Sequence, residues 1–326
     1  MKRALLLAVG LAVAVALPWL VYPPVALDIA AWALLAVALD LLVGYTGLLS
    51  FGHAAFWGTA GYAAGLLALH TPVPFLVAVL FGALVAGVIA VPVGYLAVKR
   101  TGIYFAMVTL AFAQLVYFVG NQWRGLTGGE NGLQGIPRAI ADPFFFYYAA
   151  LPLILAGIAV AWRIVHSPFG RVLVAIRHNP ARARALGYPV ARYKLLAFVL
   201  SATLAGLAGG VHAVGHGFAS LDDLHWTTSG TAVLMVVLGG IGTLWGGVLG
   251  AALVVQLEDF LATAGFEGTG IVTGTVFVVV VLVFRKGLWG TAAAWLARLR
   301  RPRRDRPARR PEPAPRPDAL VRKGAS

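Results

Sequence analysis

The chain has 326 residues, of which 60% are hydrophobic and only 12% are charged, and its formal net charge is +14. A soluble domain of this length has too little interior for so many apolar side chains, so the composition excludes a single soluble domain and predicts an integral membrane protein. The positive charge does not indicate nucleic-acid binding, because it lies in the tail from Arg298 and beside apolar segments. Cysteine is absent, which excludes disulfides, thiolate metal sites and cysteine nucleophiles.

Long apolar segments recur at lengths that suit membrane helices of about 20 residues, whereas alternating strand patterns of about ten residues are missing. We therefore predict an all-α bundle of about 8–10 membrane spans, some of them broken or re-entrant. The predicted spans are 4–21, 25–43, 47–69, 73–98, 102–119, 144–161, 195–214, an even number of crossings within 227–260, and 271–284. Residues 1–290 would form the membrane domain, and residues 291–326 a basic, disordered tail.

The first apolar segment, 4–21, follows Lys2 and Arg3 and has small residues at 14–16, as a cleavable secretory signal would. It is nearly long enough to cross the bilayer, and many further spans follow it. We therefore expect a retained first helix with its N-terminus in the cytosol.

Residues 166–194, which we call the basic segment, contain six Lys or Arg residues between Arg171 and Lys194 and no Asp or Glu. Positive charge beside membrane spans stays on the cytosolic side, so we predict that this segment and both termini face the cytosol. Residues 121–142 and 216–226 then lie outside. The segment is longer than a minimal turn and has an alanine-rich helical core, which favours a docking element for another protein. A solvated loop is the alternative.

Polar groups and glycines share one apolar segment, residues 44–62. We predict that Tyr45, Thr46, Ser50 and His53 line a translocation path, because a broken helix exposes N–H and C=O groups that bind a zwitterion. The alternative is tight packing, with the hydroxyls bonded to carbonyls of their own helix and His53 bonded between helices. No second ligand stands at metal-binding spacing from His53, so we predict no metal site there.

A second glycine-rich interruption lies within residues 227–260, at 239–247. It predicts two short helices or a re-entrant hairpin, which is tolerated at membrane depth only where protein or a watery cavity surrounds it. Close helix packing through small residues is the alternative.

Asp28 and Asp40 stand near the outer and inner ends of their span, so we expect an interfacial position for both.

Five motifs in this order resemble the LivM-type permease subunit of branched-chain amino acid ABC importers. They are GYTGLLSFGHAAFWGTAGY from Gly44, GIYFAMVTLAFAQ from Gly102, LTGGENGLQGIP from Leu126, SPFGRVLVAIRHNPARARALGYP from Ser167 and VLMVVLGGIGTLWGGVLGA from Val233. The resemblance implies a transport subunit of the inner (plasma) membrane rather than an enzyme. It implies a LivH-type second permease, two ATP-binding subunits that bind ATP and Mg, an extracytoplasmic substrate-binding protein and a small-molecule substrate. No cofactor or metal is expected on this chain.

The same resemblance makes the basic segment the loop that couples transport to the ATP-binding subunits. The residues that it assigns to coupling are Arg177, Ala183, Ala185, Leu186, Gly187 and Tyr188. Relatives often carry a Glu just before the alanine pair, where this chain has Asn179 and Pro180. A contact that depends on that Glu is therefore not expected here.

Other functions compete with this one. Urea and short-chain amide importers use closely similar subunits, so the cargo is less specific than the family. A secondary carrier would need an ion-coupling site, which transport by the purified chain without an ATPase would reveal. An intramembrane enzyme would need a nucleophile and base or a metal pair, and the sequence presents no such constellation. The chain also lacks a GxxxxGK[ST] motif, so ATP would have to be bound by another polypeptide.

Orientation can be tested directly, because the absence of cysteine allows single cysteines to be introduced without background labelling. A cysteine at Ser220 should react with a membrane-impermeant maleimide from the extracytoplasmic side, and one at Arg184 only after the cytosolic side is opened. Labelling of the Ser220 position only from the cytosol would overturn the predicted topology.

Overall fold

The computed structural model describes residues 2–138, 140–265, 270, 272, 274, 275, 278, 279 and 287–291, with the side chains of 2–9 excepted. The predicted last span, 271–284, lies mostly outside the described residues, and so does nearly all of the predicted tail, 291–326. The division between a membrane domain and a tail therefore stays a prediction.

The described chain is almost entirely helical, which confirms the predicted all-α class. The helices are α1 (Lys2–Leu20), α2 (Pro23–Thr46), α3 (His53–His70), α4 (Phe75–Ala97), α5 (Ile103–Gln122), α6 (Arg124–Thr127), α7 (Pro143–His166), α8 (Pro168–His178), α9 (Pro180–Ala185), α10 (Val190–His216), α11 (Trp226–Gly239) and α12 (Trp245–Thr263). Within the described residues, α2, α4, α5, α7, α10 and α12 are long and apolar enough to cross a membrane. Gly10–Leu20 and α11 are shorter apolar helices.

Local sequence explains where the basic segment divides. Ser167 caps α8 by accepting a hydrogen bond from the Gly170 N–H, at 3.3 Å, and a proline follows it at the first helical position. Asn179 ends α8 and caps α9, because its side-chain oxygen accepts from the Arg182 N–H at 2.9 Å. A polar cap followed by proline is a strong helix-start signal, so the segment folds as two short helices.

Helices α2 and α10 form the interior of the bundle. In the most apolar window of α2, 83% of the residues are buried within this chain, against 67% for α10 and 28% for α5 and α12. α2 packs against α7, α10, α11 and α12, while α10 also packs against α3 and α4. The outer helices therefore leave much of their apolar surface for lipid or another subunit.

Small residues allow the inner helices to pack backbone against backbone. A Cβ atom added at Gly209 of α10 would collide with the Trp57 carbonyl of α3, and one added at Gly82 of α4 would collide with the Ala60 carbonyl. Close approach of this kind is the usual role of glycine between membrane helices. It accounts for part of the chain's high glycine content without any role in substrate binding.

The two segments predicted to lie outside are joined to each other at one end of the bundle. Strand β1 (Leu133–Gln134) pairs antiparallel with β2 (Phe218–Ala219). The Ile136 N–H also donates to the Gly217 carbonyl at 3.1 Å. Segments 121–142 and 216–226 therefore share one side, as the charge pattern requires.

Candidate functional site: two broken segments joined by Asp40 and Arg177

The first predicted break follows α2. Gly47 takes the left-handed conformation, with φ of 73°, and its N–H donates to the Leu42 carbonyl, which ends the helix. Residues 47–52 are irregular before α3 begins at His53. The Thr46 hydroxyl donates to the Leu42 carbonyl at 2.5 Å, a bond within its own helix. The sequence thus located this break correctly.

The second break, residues 240–244, separates α11 from α12. Leu244 has φ of 49°, and it is the one residue other than glycine with positive φ in the described chain. Side chains rarely adopt this conformation, so the surrounding structure must hold it in place. The break is where the glycines predicted it. The choice between two short spans and a re-entrant hairpin stays open.

The Asp40 carboxylate holds the second break. Its Oδ1 accepts a hydrogen bond from the Gly242 N–H at 2.6 Å, and its Oδ2 accepts from the Leu244 N–H at 2.9 Å. The residue has no exposed surface. Both oxygens of this buried carboxylate are bonded to backbone donors, so it need not reach water. Its expected position near the membrane interface stays a prediction.

Tyr45 and Arg177 complete the junction between the two breaks. The Tyr45 hydroxyl donates to the Gly242 carbonyl at 3.0 Å. The Arg177 guanidinium, from the last turn of α8, donates to the Gly44 carbonyl at the end of α2. A side chain at Gly47 would press against the stem of Arg177. The basic segment thus contacts the membrane domain where both broken segments meet.

The other predicted coupling residues divide into two groups. Ala183 is buried in a small apolar cluster with Ile176 and Val190, so it fixes α9 against α8. The rest are exposed: Ala185, Leu186, Gly187 and Tyr188. Leu186 has 72% of its surface exposed, and Gly187 turns the chain with φ of 87°.

Ser50 and His53 belong to a buried hydrogen-bonded chain. The Gly52 N–H donates to Ser50 Oγ at 3.2 Å, and Ser50 Oγ lies 3.1 Å from His53 Nδ1. His53 Nε2 lies 2.8 Å from Ser201 Oγ, whose hydroxyl donates to the Ala38 carbonyl. Since Ser201 uses its proton on Ala38, it must accept from His53 Nε2–H. A neutral His53 with its proton on Nε2 then accepts at Nδ1 from the Ser50 hydroxyl.

This chain ties α3 to both interior helices. Ser50 and His53 have no exposed surface, and Ser201 of α10, which is not among the predicted site residues, is equally buried. Ser229 of α11 adds a fourth helix, because its hydroxyl oxygen accepts from the Ala54 N–H at 2.7 Å. A lone serine in an apolar helix gives no sequence signal for such a role. His53 makes the interhelical bonds that the packing alternative described.

A family comparison decides the class of this protein. Residues 22–281 match the family described as branched-chain amino acid transport system / permease component. The chain belongs to this family. It is therefore a permease component of an ABC-type transporter, a multi-pass membrane protein and not an enzyme. The matched residues include both broken segments and the whole basic segment.

Individual relatives of the permease differ in how much of it they match. The chain is 29% identical over 293 residues to the high-affinity branched-chain amino acid transport system permease protein LivM of Salmonella typhimurium, covering 80% of this chain and 69% of that protein. LivM of Escherichia coli gives the same figures. The autoinducer 2 import system permease protein LsrC of Klebsiella pneumoniae is 35% identical over 148 residues, or 41% of this chain and 42% of that protein. No solved structure matches.

The buried network predicts an unequal response to the loss of two hydroxyls on α10. Ser201→Ala should lower the stability of the permease by about 1–3 kcal/mol, because it leaves the buried His53 Nε2–H without a partner. Thr203→Val is the matched control, since Thr203 donates only to the Val199 carbonyl of its own helix, at 2.9 Å. Thermal unfolding of the detergent-purified chain measures both. Equal midpoints for the two variants would contradict the assigned network.

Proposed function

We propose that this chain is one permease half of an ATP-driven importer that carries leucine, isoleucine and valine into the cytosol by alternating access. The observation that carries this proposal is the family match over residues 22–281, together with similarity to LivM along 80% of the chain. The membrane would be the plasma membrane, or the inner membrane of a cell with two, with both chain termini in the cytosol. This subunit performs no covalent chemistry.

The partners follow from this role. A LivH-type permease would form the other half of the membrane domain, and two ATP-binding subunits would bind ATP and Mg and drive the cycle. An extracytoplasmic binding protein would deliver the substrate. In support, α4 and α5 leave large apolar side chains exposed within this chain, among them Leu84, Val88 and Met107. Such surface in a membrane protein faces lipid or another subunit.

The basic segment is the proposed docking element for the ATP-binding subunits. Leu186 and Tyr188 are exposed apolar side chains beside Arg182 and Arg184, and Asn179 and Ala183 fix the helix that presents them. An exposed apolar anchor rimmed by charge suits a protein interface. Movement of the docked segment would pull on Arg177, whose guanidinium holds the end of α2.

Translocation is assigned to the region around Tyr45, Thr46, Ser50 and His53. We propose that the irregular backbone between α2 and α3 faces the path, and that the buried Ser50 and His53 side chains set its shape from behind. Tyr45 bonds to the second break, so both breaks would move together when α2 and α8 shift. This arrangement would convert motion of the basic segment into opening and closing of the path.

A second candidate cargo is another small polar solute. The similarity to LsrC, which is named as an autoinducer 2 import permease, covers 41% of this chain and favours this candidate. Urea and short-chain amides are further candidates of this kind, because the motifs also resemble those of their importers. A secondary carrier, which would work without ATP, is the alternative from a different class.

Reconstitution distinguishes these functions. Proteoliposomes that hold the permease, its partner permease, the ATP-binding subunits and the binding protein should take up labelled leucine, isoleucine or valine only when ATP is hydrolysed. A hydrolysis-deficient ATP-binding pair is the control. Leucine uptake without hydrolysis would refute the ATP-driven mechanism, and ATP-driven uptake of only urea, an amide or autoinducer 2 would refute the branched-chain cargo.

Arg177 gives a test of coupling that leaves docking intact. Arg177→Gln should reduce transport per ATP hydrolysed by about tenfold or more, because a hydrogen bond to a charged group contributes about 1.5–3 kcal/mol. The exposed Arg171 lies on the same helix, so Arg171→Gln is the matched control. Uptake and ATP hydrolysis are measured on complexes with equal ATP-binding subunit content. An unchanged transport-to-hydrolysis ratio in Arg177→Gln would contradict the coupling role.

A further inference from the structure

A cluster of metal-ligand side chains lies away from the junction of the two breaks. Asp28 of α2 meets His212 and His216 of α10, and one ligand atom from each lies within 4.8 Å of the others. From the sequence alone, Asp28 is expected near the membrane interface, and no metal is expected on this chain. Nothing in the family comparison assigns a role to these three residues.

The geometry points both histidines at one carboxylate. His212 and His216 are four residues apart, so they lie on the same face of α10. Their Nε2 atoms are 3.3 Å and 2.7 Å from the same oxygen, Asp28 Oδ1. The two imidazole rings are 4.6 Å apart between centroids.

Surrounding residues fix the direction of the His212 ring. Its centroid is 5.0 Å from that of the buried Trp57, whose indole N–H donates to Asp223 Oδ1 at 3.1 Å. Nδ1 of His212 is buried and has no hydrogen-bond partner in the described part of the chain. The contact with Trp57 therefore orients the imidazole ring so that its Nε2 faces Asp28.

We propose that Asp28, His212 and His216 form a binding site for a late first-row dication such as Zn²⁺. Two imidazole nitrogens and one carboxylate oxygen suit Zn²⁺, whereas Mg²⁺ and Ca²⁺ prefer oxygen ligands alone. Ligands on a tetrahedral Zn²⁺ lie about 3.4 Å apart, given metal–ligand bonds of about 2.0–2.1 Å. The His212–Asp28 separation already fits, and the His216–Asp28 separation has to widen by about 0.7 Å.

The position of the cluster allows a metal ion to reach it and to link two helices. The three side chains keep 19–30% of their surface exposed, so an ion can reach them. Arg138, beside β1, donates to the His216 carbonyl, which places the cluster at the same end as the two paired segments. Given the proposed orientation, this end is extracytoplasmic. A metal there cross-links α2 to α10 at the end opposite Arg177.

Metal titration of the assembled complex tests the site without reference to transport. The complex is purified through a tag without histidine, stripped with a chelator and titrated with Zn²⁺ by calorimetry. His216→Gln and Asp28→Asn each keep a polar group in place and should weaken binding at this site by about tenfold or more. His225→Gln is the matched control, because His225 is partly exposed and its Nδ1 lies 2.8 Å from Thr227 Oγ1, outside the cluster.

Two further measurements keep the test decisive if a variant assembles poorly. Zn²⁺ should raise the unfolding temperature of the wild-type complex and of His225→Gln, but not of the two cluster variants, because a ligand stabilises only the state that binds it. X-ray absorption of the wild-type Zn²⁺ complex should show two imidazoles and an oxygen ligand. Unchanged stoichiometry and affinity in His216→Gln and Asp28→Asn would overturn the proposal. A metal shell without histidine would overturn it as well.

Discussion

The membrane core depends on the two hydrogen bonds that the Asp40 carboxylate accepts. This carboxylate is buried in the interior helix α2, and both of its oxygens accept backbone N–H groups from the irregular segment 240–244. Without these bonds the segment would expose unpaired donors in an apolar environment, and Leu244 would have little to hold its positive φ. Because Asp40 fixes this segment against α2, Tyr45 can bond to Gly242, and the end of α2 is presented to Arg177.

Helix α2 carries two polar sites, one toward each end. Asp28 contacts histidines of α10, and Asp40 contacts the break between α11 and α12. Twelve residues separate them, or about 18 Å along a helix. The Asp28 site lies beside the segments joined by β1 and β2. The Asp40 site lies beside the basic segment, through Arg177. The helix is thus connected to both surfaces that importer partners are proposed to contact.

Small residues and buried hydrogen bonds stabilise the packing of the inner helices in different ways. Gly82 and Gly209 let backbones of α3, α4 and α10 come close, which provides dispersion contacts but little directional preference. The hydrogen-bonded chain from Ser50 through His53 to Ser201 supplies direction, since each of its donors meets an acceptor. Such a fully paired network costs little to bury and fixes the register of the helices.

Composition and periodicity by themselves determined the membrane class, the helical fold, the places of both breaks and the position of the basic segment. These follow from local physics: lipid demands long apolar helices, and runs of glycine interrupt them. The side shared by residues 121–142 and 216–226 also followed from charge alone. The ordered motifs pointed to the family.

Only the tertiary structure decided which polar groups meet. Asp40 and Gly242 are 202 residues apart in the sequence. His53 is 148 residues from Ser201, and Asp28 is 188 residues from His216. The partners of a carboxylate in a membrane helix are brought to it by distant segments, so spacing along α2 could not reveal the role of Asp40 or of Asp28. The same reason explains why Ala183, read as a docking surface, lies inside the basic segment against Ile176 and Val190.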